Sequence, residues 1–181
     1  MIEQEVKLAF DDLESARRAV AAAGGRLIVP RRLIEDRLFD TPDRRLGRAD
    51  TTCRLRREPG RAFLTFKGAA LPGRVKSREE TETAVADADA IERILLGLGL
   101  EPAFRSEKYR EEYALDEATV TVDETPVGIF VEIEGTPAVI DRVAGRLNRT
   151  PADYRLESYP RLYAAWCAAH GRSPGDMTFG G

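Results

Sequence analysis

Charged residues stand at alternate positions in one segment after another of this chain: Glu3/Glu5/Lys7, Arg54/Arg56, Arg78/Glu80/Glu82, Lys108/Arg110 and Glu132/Glu134. Successive side chains on a strand point to opposite faces, so each set sends its charges one way. Val6 and Leu8, Cys53 and Leu55, or Val131 and Ile133 go the other way. A chain with this pattern must cover an apolar sheet face and account for a charged one.

Alternation and Val, Ile, Thr, Tyr and Phe content predict eight strands, at about 2–8, 34–40, 51–57, 62–68, 76–85, 109–115, 118–124 and 128–135. Glu58-Pro59-Gly60, Leu71-Pro72-Gly73 and Thr125-Pro126 mark turns short enough for antiparallel neighbours. Four amphipathic helices interrupt the strands. One follows Asp11/Asp12 and ends at Gly24, one runs from Asp87 to Gly99, one opens at Thr136-Pro137, and the last runs from Ser158 to Gly171. Each has a single apolar stripe, enough to cover part of a sheet from outside.

With 181 residues, 43% of them apolar, the chain suits one α+β domain over residues 1–170, followed by a flexible Gly-rich tail over 171–181. A net charge of −3 argues against general nucleic-acid or anionic-membrane binding, which needs surplus basic surface. No apolar run reaches a membrane span and Met1 leads directly into a charged strand, so a cytoplasmic protein is expected. One histidine, His170, and two distant cysteines, Cys53 and Cys167, leave carboxylates as the available metal ligands, a set suited to Mg²⁺ or Mn²⁺.

Taken over all strands, the charged face carries Glu3, Glu5, Glu80, Glu82, Asp123, Glu132 and Glu134 against Lys7, Arg54, Arg56, Lys67, Arg78, Lys108 and Arg110. A sheet this long can close on itself. Closure puts these charges inside and the apolar face under the helices, the reverse of an ordinary small barrel. Such an interior must hold water or ligand, because unpaired buried charges are costly. Three of the four lysines, Lys7, Lys67 and Lys108, fall on this face in a chain that otherwise uses arginine.

The ordered motifs resemble the CYTH family of triphosphate tunnel metalloenzymes, which includes thiamine triphosphatases and class IV adenylyl cyclases. They are Glu3-Gln4-Glu5-Val6-Lys7, Phe39-Asp40-Thr41, Arg54-Leu55-Arg56, Phe66-Lys67-Gly68, Arg78 through Glu82, Lys108-Tyr109-Arg110, Val122-Asp123-Glu124, Glu132-Ile133-Glu134 and Ser158-Tyr159. The resemblance implies a closed eight-stranded antiparallel barrel that binds a triphosphate with Mg²⁺ or Mn²⁺. It implies metal-binding roles for Glu3, Glu5, Asp123, Glu132 and Glu134, and a phosphate clamp of Lys7, Arg54, Arg56, Lys67, Lys108 and Arg110. Arg78, Glu80 and Glu82 match a further wall of the tunnel.

Three readings follow from it. The first is a metal-dependent triphosphatase acting on tripolyphosphate, thiamine triphosphate or ATP, with Glu80 or Glu82 orienting water and Lys108 among the catalytic groups. The second is a class IV adenylyl cyclase that forms cyclic AMP and pyrophosphate. The third is a non-catalytic polyphosphate or nucleotide binder. Oligomeric state is open.

Overall fold

The computed structural model describes residues 1–180. Eight antiparallel strands form one closed barrel: β1 (Ile2–Phe10), β2 (Arg26–Asp40), β3 (Thr52–Glu58), β4 (Arg61–Lys67), β5 (Lys76–Ala84), β6 (Glu101–Leu115), β7 (Ala118–Thr125) and β8 (Gly128–Glu134). Around the ring the order is β1-β5-β4-β3-β2-β6-β7-β8, and β8 closes on β1 with Val6 opposite Ile133 and Lys7 opposite Glu132. The expected α+β fold with a closed eight-stranded barrel is therefore present. The β3–β4 hairpin turns on Pro59-Gly60, where Gly60 takes φ +74, the left-handed conformation a Pro-Gly turn needs at its second central residue.

Helices α1 (Leu13–Ala22), α3 (Ala88–Gly97) and α4 (Pro137–Arg146) start where side-chain caps accept orphan amide hydrogens. Asp12 accepts from Ser15 N at 2.6 Å and Asp87 from Ala90 N at 2.9 Å. Pro137 occupies the first turn of α4, where it forfeits no hydrogen bond. Val6, Leu8, Val120 and Ile133 from the sheet pack with Val20, Ile140 and Val143 of α1 and α4. A smaller cluster joins Phe39, Cys53 and Leu55 to Leu95 of α3. Both clusters lie outside the barrel wall, which leaves the inward positions to the charges.

Three features depart from the expected elements. Strands β2 and β6 are each 15 residues long, because residues 26–33 pair with 109–114 and residues 101–108 pair with 34–40, through register shifts at Leu27/Val29, Val29/Arg32 and Leu38/Phe39. Bulges break the strict alternation by which a strand is read from sequence. A one-turn helix, α2 (Arg45–Arg48), follows Asp40, whose carboxylate accepts from Leu46 N and Gly47 N at 2.8 and 2.9 Å. The Phe39-Asp40-Thr41 motif thus builds a turn, with Phe39 in the outer core and away from the cavity. After α5 (Tyr159–Ala169), the segment expected to be mobile lies against β6. Met177 is 1% exposed and exchanges backbone hydrogen bonds with Arg105 and Glu107 at 2.9 and 2.8 Å.

Candidate active site

The barrel holds a cavity of about 490 Å³ whose lining is mostly charged. Strand parity supplies it: Glu3, Glu5 and Lys7 come from β1, Lys76 through Glu82 at alternate positions from β5, Arg54 and Arg56 from β3, Lys67 from β4, Lys108 and Arg110 from β6, and Glu132 and Glu134 from β8. Thirteen of the fourteen expected charges line it, and Asp36 and Lys76 join them. Every lysine of the chain therefore faces this cavity. Lys76 and Asp36 went unassigned in the sequence because Lys76 is the first residue of its strand, directly after a Gly-containing loop, and Asp36 sits beside bulged backbone with no charge two residues away. The even spacing that Asp36 shares with Leu38, and Lys76 with Arg78, was the available signal.

Two territories divide the cavity. In the first, lysines are shared between glutamates. Lys67 Nζ lies 2.6 and 2.8 Å from the Glu3 oxygens and 2.8 Å from Glu80, while Lys76 Nζ and Lys7 Nζ meet Glu5 Oε1 at 2.7 and 3.0 Å. One ammonium between two carboxylates leaves Glu3 short of counter-charge, so burial and the neighbouring Glu5 push its carboxyl up to about 7. Burial, Glu5 and Glu80 likewise raise Glu134, which has no basic partner among the described residues. Burial also works against ionisation of Glu5, but Lys7 and Lys76 outweigh it and hold that carboxyl below the ordinary range.

In the second territory arginines predominate. Asp36 grips Arg56 at two points, Nε to Oδ1 at 2.7 Å and Nη2 to Oδ2 at 2.9 Å. Arg54 meets Thr65 Oγ1 at 3.1 Å and Glu82 at 3.2 Å, while its Nε is buried without an acceptor among the described residues. Arg78 is 6% exposed, and among the described residues its Nε has no acceptor and its one carboxylate contact is Asp50 at 3.5 Å. Buried donors left open this way favour an incoming anion. Lys108 is lowered to about 8 by burial and then by Arg110.

Asp123 occupies a different place from the other acids. It is on the inward face but fully buried, covered by its partners, and does not line the cavity. Its oxygens accept from Arg110 Nε at 2.6 Å, Lys108 Nζ at 2.8 Å and the Tyr159 hydroxyl at 2.7 Å. Tyr159, at the start of α5, stands under both Lys7 and Lys108, with ring centroids 5.2 and 4.6 Å from the two ammonium nitrogens.

The acids fit a hard divalent cation by their chemistry. They offer oxygen donors only, and Glu3 and Glu134 lack full counter-charge. No three of them are already gathered around one point among the described residues, since Lys67, Lys76 and Lys7 draw them to the walls. Electroneutrality gives a second reason. Seven acids and eight bases line the cavity, so a bound polyanion leaves a surplus of negative charge unless cations enter with it.

Comparison with known proteins agrees with this architecture. A Methanocaldococcus jannaschii protein that carries the provisional name adenylate cyclase is 30% identical over 135 residues, covering 74% of this chain and 77% of its own length. A Vibrio parahaemolyticus structure under the same provisional name superposes with a TM-score of 0.77 at 21% identity, covering 90% of this chain and 97% of that one. A Hippeastrum protein described as a provisional adenylyl cyclase with a dominant triphosphatase activity superposes with a TM-score of 0.67 at 16% identity, covering 96% and 97%. The CYTH domain family profile matches residues 1–146, and the chain belongs to the CYTH domain family.

Proposed function

We propose that this protein is a Mg²⁺- or Mn²⁺-dependent triphosphatase that holds a triphosphate inside the barrel and cleaves its terminal phosphoanhydride bond. The observation that carries the reading is the division of one cavity into a lysine–glutamate territory and an arginine-rich one with unsatisfied donors. A triphosphate needs both, cations on one side and, on the other, acids that bind it through metal. Glu3, Glu5, Glu132 and Glu134 would hold the metal, which when bound supplies neutralisation of phosphate charge and polarises the phosphorus under attack.

The chain's own side chains do the rest. Arg54, Arg56, Arg78, Lys108 and Arg110 bind the phosphate oxygens and stabilise the charge that builds on the leaving oxygen as its bond to phosphorus breaks. Lys67 and Lys7 neutralise the other flank. Glu80 and Glu82 stand beside Lys67 and Arg54 and accept the hydrogen of the attacking water, orienting its lone pair toward phosphorus.

Adenylyl cyclase chemistry is the second reading, favoured by the name of the Methanocaldococcus jannaschii relative. There the ribose hydroxyl replaces water as the nucleophile and attacks the α-phosphorus. Incubation with ATP and Mn²⁺ decides between them: orthophosphate and ADP support the hydrolase, cyclic AMP and pyrophosphate the cyclase. Absence of turnover on ATP, thiamine triphosphate and tripolyphosphate alike would overturn both.

A further inference from the structure

Two arginines of the cavity are held in the same way by aspartates on neighbouring strands. Asp36 of β2 lies directly opposite Arg56 of β3, and Asp123 of β7 lies directly opposite Arg110 of β6. In both pairs the aspartate takes the Nε–Nη2 edge of the guanidinium: Asp36 at 2.7 and 2.9 Å, Asp123 at 2.6 and 2.5 Å. A guanidinium has two edges that can grip an oxyanion at two points, and occupying the Nε edge leaves the Nη1–Nη2 end for a second anion. Arg56 makes no other hydrogen bond among the described residues, so its other end is open. Asp36 is 8% exposed and both of its oxygens bond Arg56, while Oδ1 also lies 3.9 Å from Arg54 Nε, outside hydrogen-bond distance.

We infer that Asp36 is a positioning residue. By locking one edge of Arg56, it aims the other at the polyanion; Arg110, locked the same way by Asp123, also gives its Nη2 to Glu132. The inference rests on the triphosphate reading of the cavity and assigns Asp36 to the phosphate clamp, apart from the metal-binding acids. A flexible arginine would lose rotamer freedom on each binding event, whereas one already fixed loses little. Holding Arg56 therefore matters more than the negative charge that Asp36 adds near the ligand.

The test is calorimetric binding of tripolyphosphate, with and without Mg²⁺, to the wild type, Asp36→Asn, Asp36→Glu, Arg56→Lys and the Asp36→Asn/Arg56→Lys double variant. Positioning predicts that Asp36→Asn and Asp36→Glu each weaken binding roughly tenfold or more, although only the first changes the charge. It also predicts that Asp36→Asn costs less than about twofold when residue 56 is lysine, because an ammonium has no second edge to aim. Unchanged or tighter binding by Asp36→Asn overturns the inference, as does a loss that is just as large beside Arg56→Lys. A loss seen only with Mg²⁺ overturns it too, since it would mark Asp36 as a metal ligand. If Asp36→Asn does not fold, Asp36→Glu alone decides, with full affinity counting against positioning. A wild type that binds no tripolyphosphate overturns the triphosphate reading itself, an outcome distinct from wild-type binding that the variants leave untouched.

Discussion

Glu3 is buried and stands two residues from Glu5, and burial and then that neighbouring charge, only partly offset by Lys67, push its carboxyl up to about 7. In the unfolded chain the same carboxyl releases its proton near 4.5. Between these values the folded state binds more protons than the unfolded one, so stability falls as pH rises through the window. In metal-free buffer the melting temperature should drop between pH 5 and 7, and Glu3→Gln should flatten that slope. An unchanged slope in the variant would place the titration elsewhere. Arg56 tests the clamp directly: Arg56→Ala should cost roughly 2–4 kcal/mol of transition-state stabilisation, seen as a fall in kcat for tripolyphosphate with the fold intact. At this scale the sequence was legible wherever charges came in alternating pairs. It was faint on Asp36, which stands between Glu35 and Arg37 and shares even spacing with the apolar Leu38 rather than with a charge, so charge alone does not say which face it takes.

Among the elements, the helices followed their sequence signals because caps and apolar stripes are local. The C-terminal segment did not, because what orders it lies on another strand. Met177 shares a Gly-rich, otherwise largely polar run with one other large apolar residue, Phe179, yet its backbone pairs with β6 and its side chain is 1% exposed. Met177→Ala should therefore destabilise the protein by roughly 2–5 kcal/mol, measured by denaturant unfolding. A mobile tail would give a change near zero. Ile140 of α4, fully buried against the barrel wall, is the matching control, with a similar cost expected for Ile140→Ala. The long strands β2 and β6 belong to the same lesson. Pro30 and Pro102 interrupt their pattern, and the pairing between the two strands carries them through.

For the molecule as a whole, the barrel wall separates an apolar exterior, covered by helices, from a charged interior. No helix among the described residues is long and apolar enough to cross a membrane. An interior of fixed opposite charges should be stabilised by the ligand that completes it. Tripolyphosphate with Mg²⁺ at ~100 times its dissociation constant should add ~2.7 kcal/mol to unfolding. Either component alone should add less, a dependence that a melting series resolves. The sequence by itself determined which side chains share a face, because strand parity is a property of the local backbone and needs no partner. Only the tertiary structure decided who meets whom. Closure and stagger of the ring bring Asp36 to Arg56, bury Asp123 under Tyr159 and divide Lys67 between two glutamates, and these depend on register between strands far apart in the chain.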